Sequence, residues 1–169
     1  MAKMSFSDIQ LIVYDFDGVM TDNRVIVHED GMESVIVNRA DGLGVNIIKE
    51  IEIPQMILST ETNPVVSFRA KKLGIPVLQG VDDKKTVLLR YCKDNNYDPA
   101  RILYVGNDVN DEEVMKAVGY SVATADAHHS IKSLAQMVLY TKGGHGVVRE
   151  LADKIEGILS TLNEKNKRL

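Results

Sequence analysis

Hydrophobic positions in this chain fall into short, nearly unbroken runs separated by longer stretches of helical period. The runs IQLIVYD (9–15), PQMILS (54–59), IPVL (75–78), RILYVG (101–106), YSVA (120–123) and MVLY (137–140) are strand candidates, several of them apolar on both faces. That pattern belongs to strands buried between two layers of helices. Asn63 and Pro64 read as the cap and first residue of a helix reaching about Leu73, which Gly74 stops. Asp82 or Asp83 opens the next helix, through VLLRYC to about Asn96, and Asp111 opens DEEVMKAV, which Gly119 ends. A last amphipathic helix covers about 146–163. One stretch breaks the alternation: VIVHEDGMESVIV (25–37) sets two β-branched runs around Asp30 and Gly31, predicting a β-hairpin over about 24–37. The whole predicts an α/β fold, a doubly wound, Rossmann-like parallel sheet in one domain over 1–169, with ligands bound beyond the carboxyl ends of the strands.

Composition narrows the classes without choosing among them. With 44% apolar and 26% charged residues the chain has an ordinary globular balance, which excludes disordered and collagen-like readings. The net charge is −4 and Lys and Arg are scattered, so there is no basic stripe and nucleic acid is not an expected partner. Cys92 is the one cysteine; in LLRYCKD it reads as a small buried hydrophobe, compatible with a reducing cytoplasm. The apolar run 9–14 is cut short by Asp15, too early for a signal segment or membrane span, so a cytoplasmic protein with no membrane partner is expected.

The chemistry gathers at the predicted strand ends. The first strand runs into DFDGVMTD, where Asp15 and Asp17 share a face of extended backbone and Gly18 lets the chain turn away. Two converging carboxylates need a proton or a cation; a hard Mg2+ held by a carboxylate, a backbone carbonyl, another oxygen side chain and waters would satisfy them. The second strand ends in Ser59 and Thr60, hydroxyls at a turn suited to seating a phosphate. Lys84, after IPVLQGVDD, is a point cation able to meet an aspartate and a phosphoryl oxygen together, whereas its neighbour Lys85 reads as solvated. The run GNDVND places Asn107, Asp108 and Asp111 around a turn into a helix. Each motif alone is ordinary turn chemistry. Their order, acid pair, hydroxyl, lysine, acid cluster, all at strand ends, is not.

On DFDGV, Ser59, Lys84 and GNDVND the chain resembles the haloacid dehalogenase superfamily of phosphotransferases across about 9–111. The resemblance implies that Asp15 is the nucleophile forming an aspartyl phosphate, and that Asp17 protonates the leaving alkoxide and then deprotonates the attacking water. It implies that Ser59 holds a phosphoryl oxygen and that Lys84 pairs with Asp15 and the transferring group. Mg2+ is then expected between Asp15, the Asp17 backbone carbonyl and the phosphoryl oxygens, with Gly18 and Asp111 in support. The superfamily usually has Asp where Asn107 stands. Asn offers an oxygen without charge, so weaker Mg2+ binding is expected, with Asp108 restoring charge either as a ligand or from behind the ligands.

Between Asp17 and Ser59 there is room only for the hairpin and one helix, so no cap domain can cover the site, and a neighbouring subunit is the economical cover. This layout, with RADGLGV (39–45) and GGHGVVRE (143–150), resembles the capless subclass that includes octulosonate 8-phosphate phosphatases, and implies a homotetramer. Gly143, Gly144 and Gly146 suit a mobile or closely approaching loop, and His145 within it is a candidate substrate contact. Octulosonate phosphatases typically carry Gly then Arg after the motif hydroxyl, whereas this chain reads STETNPVVSFRAKKL, with Glu61 in the Arg position. Glu61, Arg69 and Lys72 look like the set of phosphatases acting on sialic-acid-type nonulosonate 9-phosphates. Arg69 would clamp the substrate carboxylate and a Glu61–Lys72 salt bridge would position it; the bland alternative is three solvated helix charges. The leading expectation is therefore a nonulosonate 9-phosphate phosphatase of sialic acid biosynthesis, with 3-deoxy-D-manno-octulosonate 8-phosphate as the alternative substrate. A third reading, a non-catalytic assembly partner of a cytidylyltransferase (CMP-sialic acid synthetase), is opposed by the intact Asp15, Asp17, Ser59 and Lys84 and kept open by Asn107.

Overall fold

Strand β1 (Leu11–Tyr14) runs through the middle of a six-stranded sheet in a computed structural model that describes residues 6–166. It pairs on one side with β4 (Gln55–Leu58), which pairs with β5 (Val77–Leu78). On the other side lie β6 (Ile102–Gly106), β7 (Tyr120–Ala123) and β8 (Met137–Val138), and every pairing in this sheet is parallel. Strands β2 (Thr21–Val27) and β3 (Glu33–Val37) form the separate antiparallel hairpin, which begins three residues earlier than predicted, inside the DFDGVMTD motif itself.

Side chains alternate across an extended strand, and both faces of β1 are covered. Ile12 and Tyr14 enter one core with Val45 and Ile48 of α1 (Ala40–Glu50), Val66 and Ala70 of α2 (Val65–Leu73) and Leu151 and Ile155 of α6 (Val147–Asn166). Leu11 and Val13 enter the other with Leu88 and Cys92 of α3 (Lys84–Asp94), Val114 and Met115 of α4 (Glu112–Ala117) and Ile131 of α5 (His129–Leu134). The doubly wound layering is the one expected, and Cys92 is a buried hydrophobe.

The helix ends differ from expectation by one to three residues, α6 running on to Asn166 where about 163 was expected. Asn63 still serves α2, its side-chain oxygen accepting the Val65 N–H at 3.1 Å, but Pro64 occupies the cap position. Asp83 caps α3 by accepting the Thr86 N–H at 3.0 Å, and the helix stops at Asp94 because Asn96 turns left-handed at φ 58°. Asp111 holds the cap position of α4 as expected but gives it no side-chain bond; Asp108 caps the preceding 3-10 turn over Val109–Asp111, and the Asp111 carboxylate folds back. Among the described residues no helix is long and apolar enough to cross a membrane.

Candidate active site

The carboxyl ends of β1, β4 and β6 open on one cavity of about 320 Å³, lined by Asp15, Asp17, Ser59, Thr60, Asn107 and Asp108 with Asn23, Val109 and Asn110. Three of the four motifs therefore line one cavity, and the fourth, Lys84, joins them from behind through Asp15. Asp15 is 3% exposed; its Oδ1 accepts the Phe16 N–H at 2.7 Å and lies 2.8 Å from Lys84 Nζ. The same ammonium donates to Asp111 Oδ1 at 2.7 Å. Lys84 is thus a buried cation shared by two buried carboxylates, placed at the first turn of α3 by the Asp83 cap.

Asp111 does not face the cavity. Its Oδ1 also accepts the Tyr104 hydroxyl at 2.7 Å, and its Oδ2 accepts the N–H of Asn107 at 2.8 Å and of Asp108 at 3.3 Å. It anchors Lys84 from behind and shapes the turn that presents Asn107. Asp108 lines the cavity with its Oδ1 accepting the Val109 N–H at 2.7 Å. Ser59 is buried, its hydroxyl oxygen accepting the Glu61 N–H at 3.1 Å.

Burial pushes the Asp15 carboxyl up to about 7; the Asp111 charge adds to this, and Lys84 and the Phe16 N–H oppose it. Burial also raises Asp17, against the Thr21 hydroxyl bond and with help from Glu61 and Glu33. Burial alone would lower Lys84, but Asp15 and Asp111 outweigh it and the ammonium titrates above its usual value. With Asp15 ionised, one buried cation faces two buried anions, which leaves a net negative charge beside Asp17.

The site fits a hard cation on an observation independent of motif. Asn107 Oδ1 is buried in the cavity wall with no hydrogen-bond partner. An orphaned carbonyl oxygen beside an excess of carboxylate charge is the environment that a divalent ion satisfies. Gly18 holds the Asn107 amide there: at φ +77° it takes a conformation that disfavours side chains, and a Cβ would lie 1.9 Å from Asn107 Nδ2. Among the described residues no three His, Cys, Asp or Glu gather as a ligand set, so the cation would rest on Asp15, Asn107, backbone oxygen and water.

Two contributors carried no sequence signal. Thr21 donates its hydroxyl to Asp17 Oδ1 at 3.1 Å while accepting the N–H of Gly18 and Asn23, each at 3.2 Å. Tyr104 reads in sequence as one more strand hydrophobe, yet its hydroxyl holds Asp111. The glycine loop is a brace. Gly144 N–H bonds Val19 O at 3.0 Å, and a Cβ on Gly143 would lie 2.2 Å from Gly18 O, so only glycine lets this loop back the acid turn. His145 bonds Gly143 O through Nδ1 at 2.7 Å and does not line the cavity.

The predicted Glu61, Arg69 and Lys72 cluster does not assemble within the protomer. Glu61 faces a neighbouring cavity of about 260 Å³ that shares Asp17 and Asn23 with the first, and its carboxylate accepts the N–H of Thr62 at 2.7 Å and of Asn63 at 2.8 Å. Arg69 and Lys72 line a different cavity with Arg39 and Asn46, and Arg69 donates to Asn38 O at 2.7 Å. No ion pair joins Glu61 to Lys72 among the described residues. Glu61 precedes α2, whereas Arg69 and Lys72 are carried roughly 6 and 10 Å along it at 1.5 Å per residue.

Comparison with known proteins agrees with this geometry. Residues 45–151 match the family model of haloacid dehalogenase-like hydrolases, a span containing Ser59, Lys84 and the Asn107–Asp111 turn. The 3-deoxy-D-manno-octulosonate 8-phosphate phosphatase of Yersinia pestis is 35% identical over 150 residues, covering 88% of this chain and 80% of the relative. A haloacid dehalogenase family structure from Streptomyces avermitilis superposes with a TM-score of 0.86 at 46% identity, over 90% of this chain and 87% of the other. The 3-deoxy-D-manno-octulosonate 8-phosphate phosphatase of Moraxella catarrhalis, solved with magnesium, phosphate and the octulosonate, superposes at 0.87 with 28% identity, over 90% and 88% of the two chains. With its acid pair, hydroxyl and lysine gathered at the carboxyl ends of a parallel sheet, the chain belongs to the haloacid dehalogenase-like hydrolase family.

Proposed function

We propose that this hydrolase is a Mg2+-dependent phosphatase of phosphorylated sugar acids. The observation that carries the proposal is the Lys84-held Asp15 sharing one cavity with Asp17 and the unpartnered oxygen of Asn107. Both Asp15 contacts fall on Oδ1, which leaves Oδ2 to attack phosphorus. The ester P–O bond breaks as the Asp15–phosphorus bond forms, and Asp17, raised by burial and so suited to carry a proton, gives it to the leaving alkoxide. Water then attacks phosphorus, Asp17 takes its proton, and Asp15 is released as carboxylate. Ser59 and Lys84 hold phosphoryl oxygens through both steps, with Thr60 at the same rim. Mg2+, resting on Asp15, the Asp17 carbonyl and Asn107, would supply the charge that keeps Asp15 ionised and neutralises the phosphoryl oxygens.

The names of the relatives favour the eight-carbon substrate, 3-deoxy-D-manno-octulosonate 8-phosphate, over the nonulosonate 9-phosphate that Glu61 suggests. The nonulosonate reading stays second, because Glu61 faces the cavity beside Asp17. Arg69 and Lys72 could serve it only from a neighbouring subunit. The hairpin supports such an assembly: Val25, Ile26, Val27, Met32 and Ile36 are exposed apolar residues on it, an arrangement that a homotetramer would cover. The intact catalytic set weighs against a purely structural partner of a cytidylyltransferase. Phosphate release from the two sugar-acid phosphates, compared side by side with Mg2+, tests the substrate assignment. Preference for the eight-carbon acid supports it, preference for the nine-carbon acid reverses it, and a monomer by light scattering removes the intersubunit role of Arg69.

Two substitutions probe the cation. Asn107→Asp adds a charge where the orphaned oxygen stands, and should lower the Mg2+ concentration for half-maximal activity roughly tenfold, about 1.4 kcal/mol. Gly18→Ala drives a Cβ into the Asn107 amide and should raise that concentration by a similar factor of roughly ten, again about 1.4 kcal/mol. Mg2+ titrations of initial rate check both; unchanged midpoints would remove Asn107 from the ligand set.

A further inference from the structure

The acid turn contains a hydroxyl whose hydrogen has only one acceptor to meet. Thr21 is fully buried and is not among the residues lining either cavity beside Asp17. A threonine hydroxyl has one hydrogen to donate and two lone pairs with which to accept. Both lone pairs are taken by backbone donors, the N–H of Gly18 and the N–H of Asn23, each at 3.2 Å. Amide N–H groups only donate, so the single hydroxyl hydrogen is left for Asp17 Oδ1, 3.1 Å away.

The fold holds this hydroxyl from several sides. Asn23 delivers its N–H from the register shift between Thr21 and Val25, where it is left-handed at φ 65°. A non-glycine residue kept in that region marks a conformation that its surroundings impose. The Thr21 N–H is itself bonded to Phe16 O at 3.2 Å. The glycine loop packs against the same backbone: a Cβ on Gly143 would lie 2.9 Å from Thr21 O, and one on Gly144 2.7 Å from the Thr21 carbonyl carbon. The consequence falls on Asp17. With Oδ1 engaged as an acceptor from the protein side, its carboxyl plane is fixed, and Oδ2 accepts no hydrogen bond among the described residues although the side chain borders the cavity shared with Asp15.

We infer that Thr21 is a positioning residue for proton transfer: by donating to Oδ1 it makes Oδ2 the oxygen of Asp17 that gives its proton to the leaving alkoxide and takes one back from the attacking water. The inference rests on the role of Asp17 in the phosphatase reading above. It gives the buried hydroxyl a part in the reaction beyond closing the turn.

The test compares kcat/KM with Mg2+ for the sugar-acid phosphate that the wild-type protein prefers, whose leaving alkoxide needs a proton, and for p-nitrophenyl phosphate, whose leaving phenolate does not. The proteins are wild type, Asp17→Asn, Thr21→Val and Thr21→Ser. Because kcat/KM reads the steps up to departure of the leaving group, it omits the later attack of water that both substrates share. Asp17→Asn should lower the ratio of sugar to aryl kcat/KM roughly 100-fold, as loss of a general acid requires. Thr21→Val, close in shape but without the hydroxyl, should lower the same ratio roughly tenfold, and Thr21→Ser should recover most of it. Thr21→Ala, which leaves room for a water at the two freed N–H groups, gives the same reading should Thr21→Val not fold. Discrimination in Asp17→Asn but an equal fall for both substrates in the variants lacking the hydroxyl, the pattern of a merely structural loss, overturns the role of Thr21 alone; so does a Thr21→Ser ratio no better than theirs. An equal fall for both substrates in Asp17→Asn overturns the acid role of Asp17, and Thr21 with it.

Discussion

Asp15→Asn is expected to cut phosphate release by roughly 10⁴-fold or more and, in the absence of metal, to raise the melting temperature. The first effect follows because an amide cannot attack phosphorus. The second follows from what holding Asp15 ionised costs the fold. Burial, then Asp111, push its carboxyl up to about 7, so the folded protein binds this proton more tightly than the unfolded chain, where a carboxylate titrates near 4. In that window the folded state carries more protons than the unfolded one. Stability from this group is therefore greatest at the acid end and falls as pH rises from about 4 to about 7. Asn has no proton to lose, yet its side-chain oxygen can still accept from Lys84 and the Phe16 N–H. Thermal melts in chelator should show wild type falling behind Asp15→Asn as pH rises through this window, and Mg2+ should restore wild type by binding the folded state. Equal melting temperatures at every pH would show that Asp15 is not held at such a cost.

Lys84→Met is expected to be the most destabilising single change in the site. It leaves Asp15 and Asp111 buried without their shared cation, a class of loss worth about 3–5 kcal/mol, and it should abolish turnover as well. Lys85, the next residue, gives the contrast. Its nearest carboxylate, Glu113, lies 3.7 Å away and both side chains are largely in water, so Lys85→Met should cost under about 1 kcal/mol. Urea denaturation of the two variants decides the matter; similar midpoints would mean that the buried trio does not hold the site together. Adding Asp111→Asn to Lys84→Met should recover part of the loss, because it removes one of the two stranded charges.

The fold was legible where a residue acts through its own backbone or its immediate neighbours. Both-face apolar runs identify β1, β4 and β6, Asp83 and Gly74 mark ends of α3 and α2, and the spacing of Asp15 and Asp17 at a strand end announces the site. Sequence was silent where function depends on distant packing. Tyr104 and Thr21 look like an ordinary strand residue and an ordinary turn residue; only the fold brings the first to Asp111 and the second to Asp17. The set of Glu61, Arg69 and Lys72 rests on a family resemblance, and within one protomer the rise of α2 carries Arg69 and Lys72 to another cavity than the one Glu61 faces.

If the phosphoryl group passes through Asp15, borohydride added during turnover of 3-deoxy-D-manno-octulosonate 8-phosphate will trap it there, because an acyl phosphate is reduced and a free carboxylate is not; peptide mass mapping reads the outcome. Recovery of residue 15 as homoserine, dependent on both substrate and Mg2+, is the predicted result. Sustained phosphate release with Asp15 recovered unmodified, or with the reduced residue elsewhere in the chain, would contradict it.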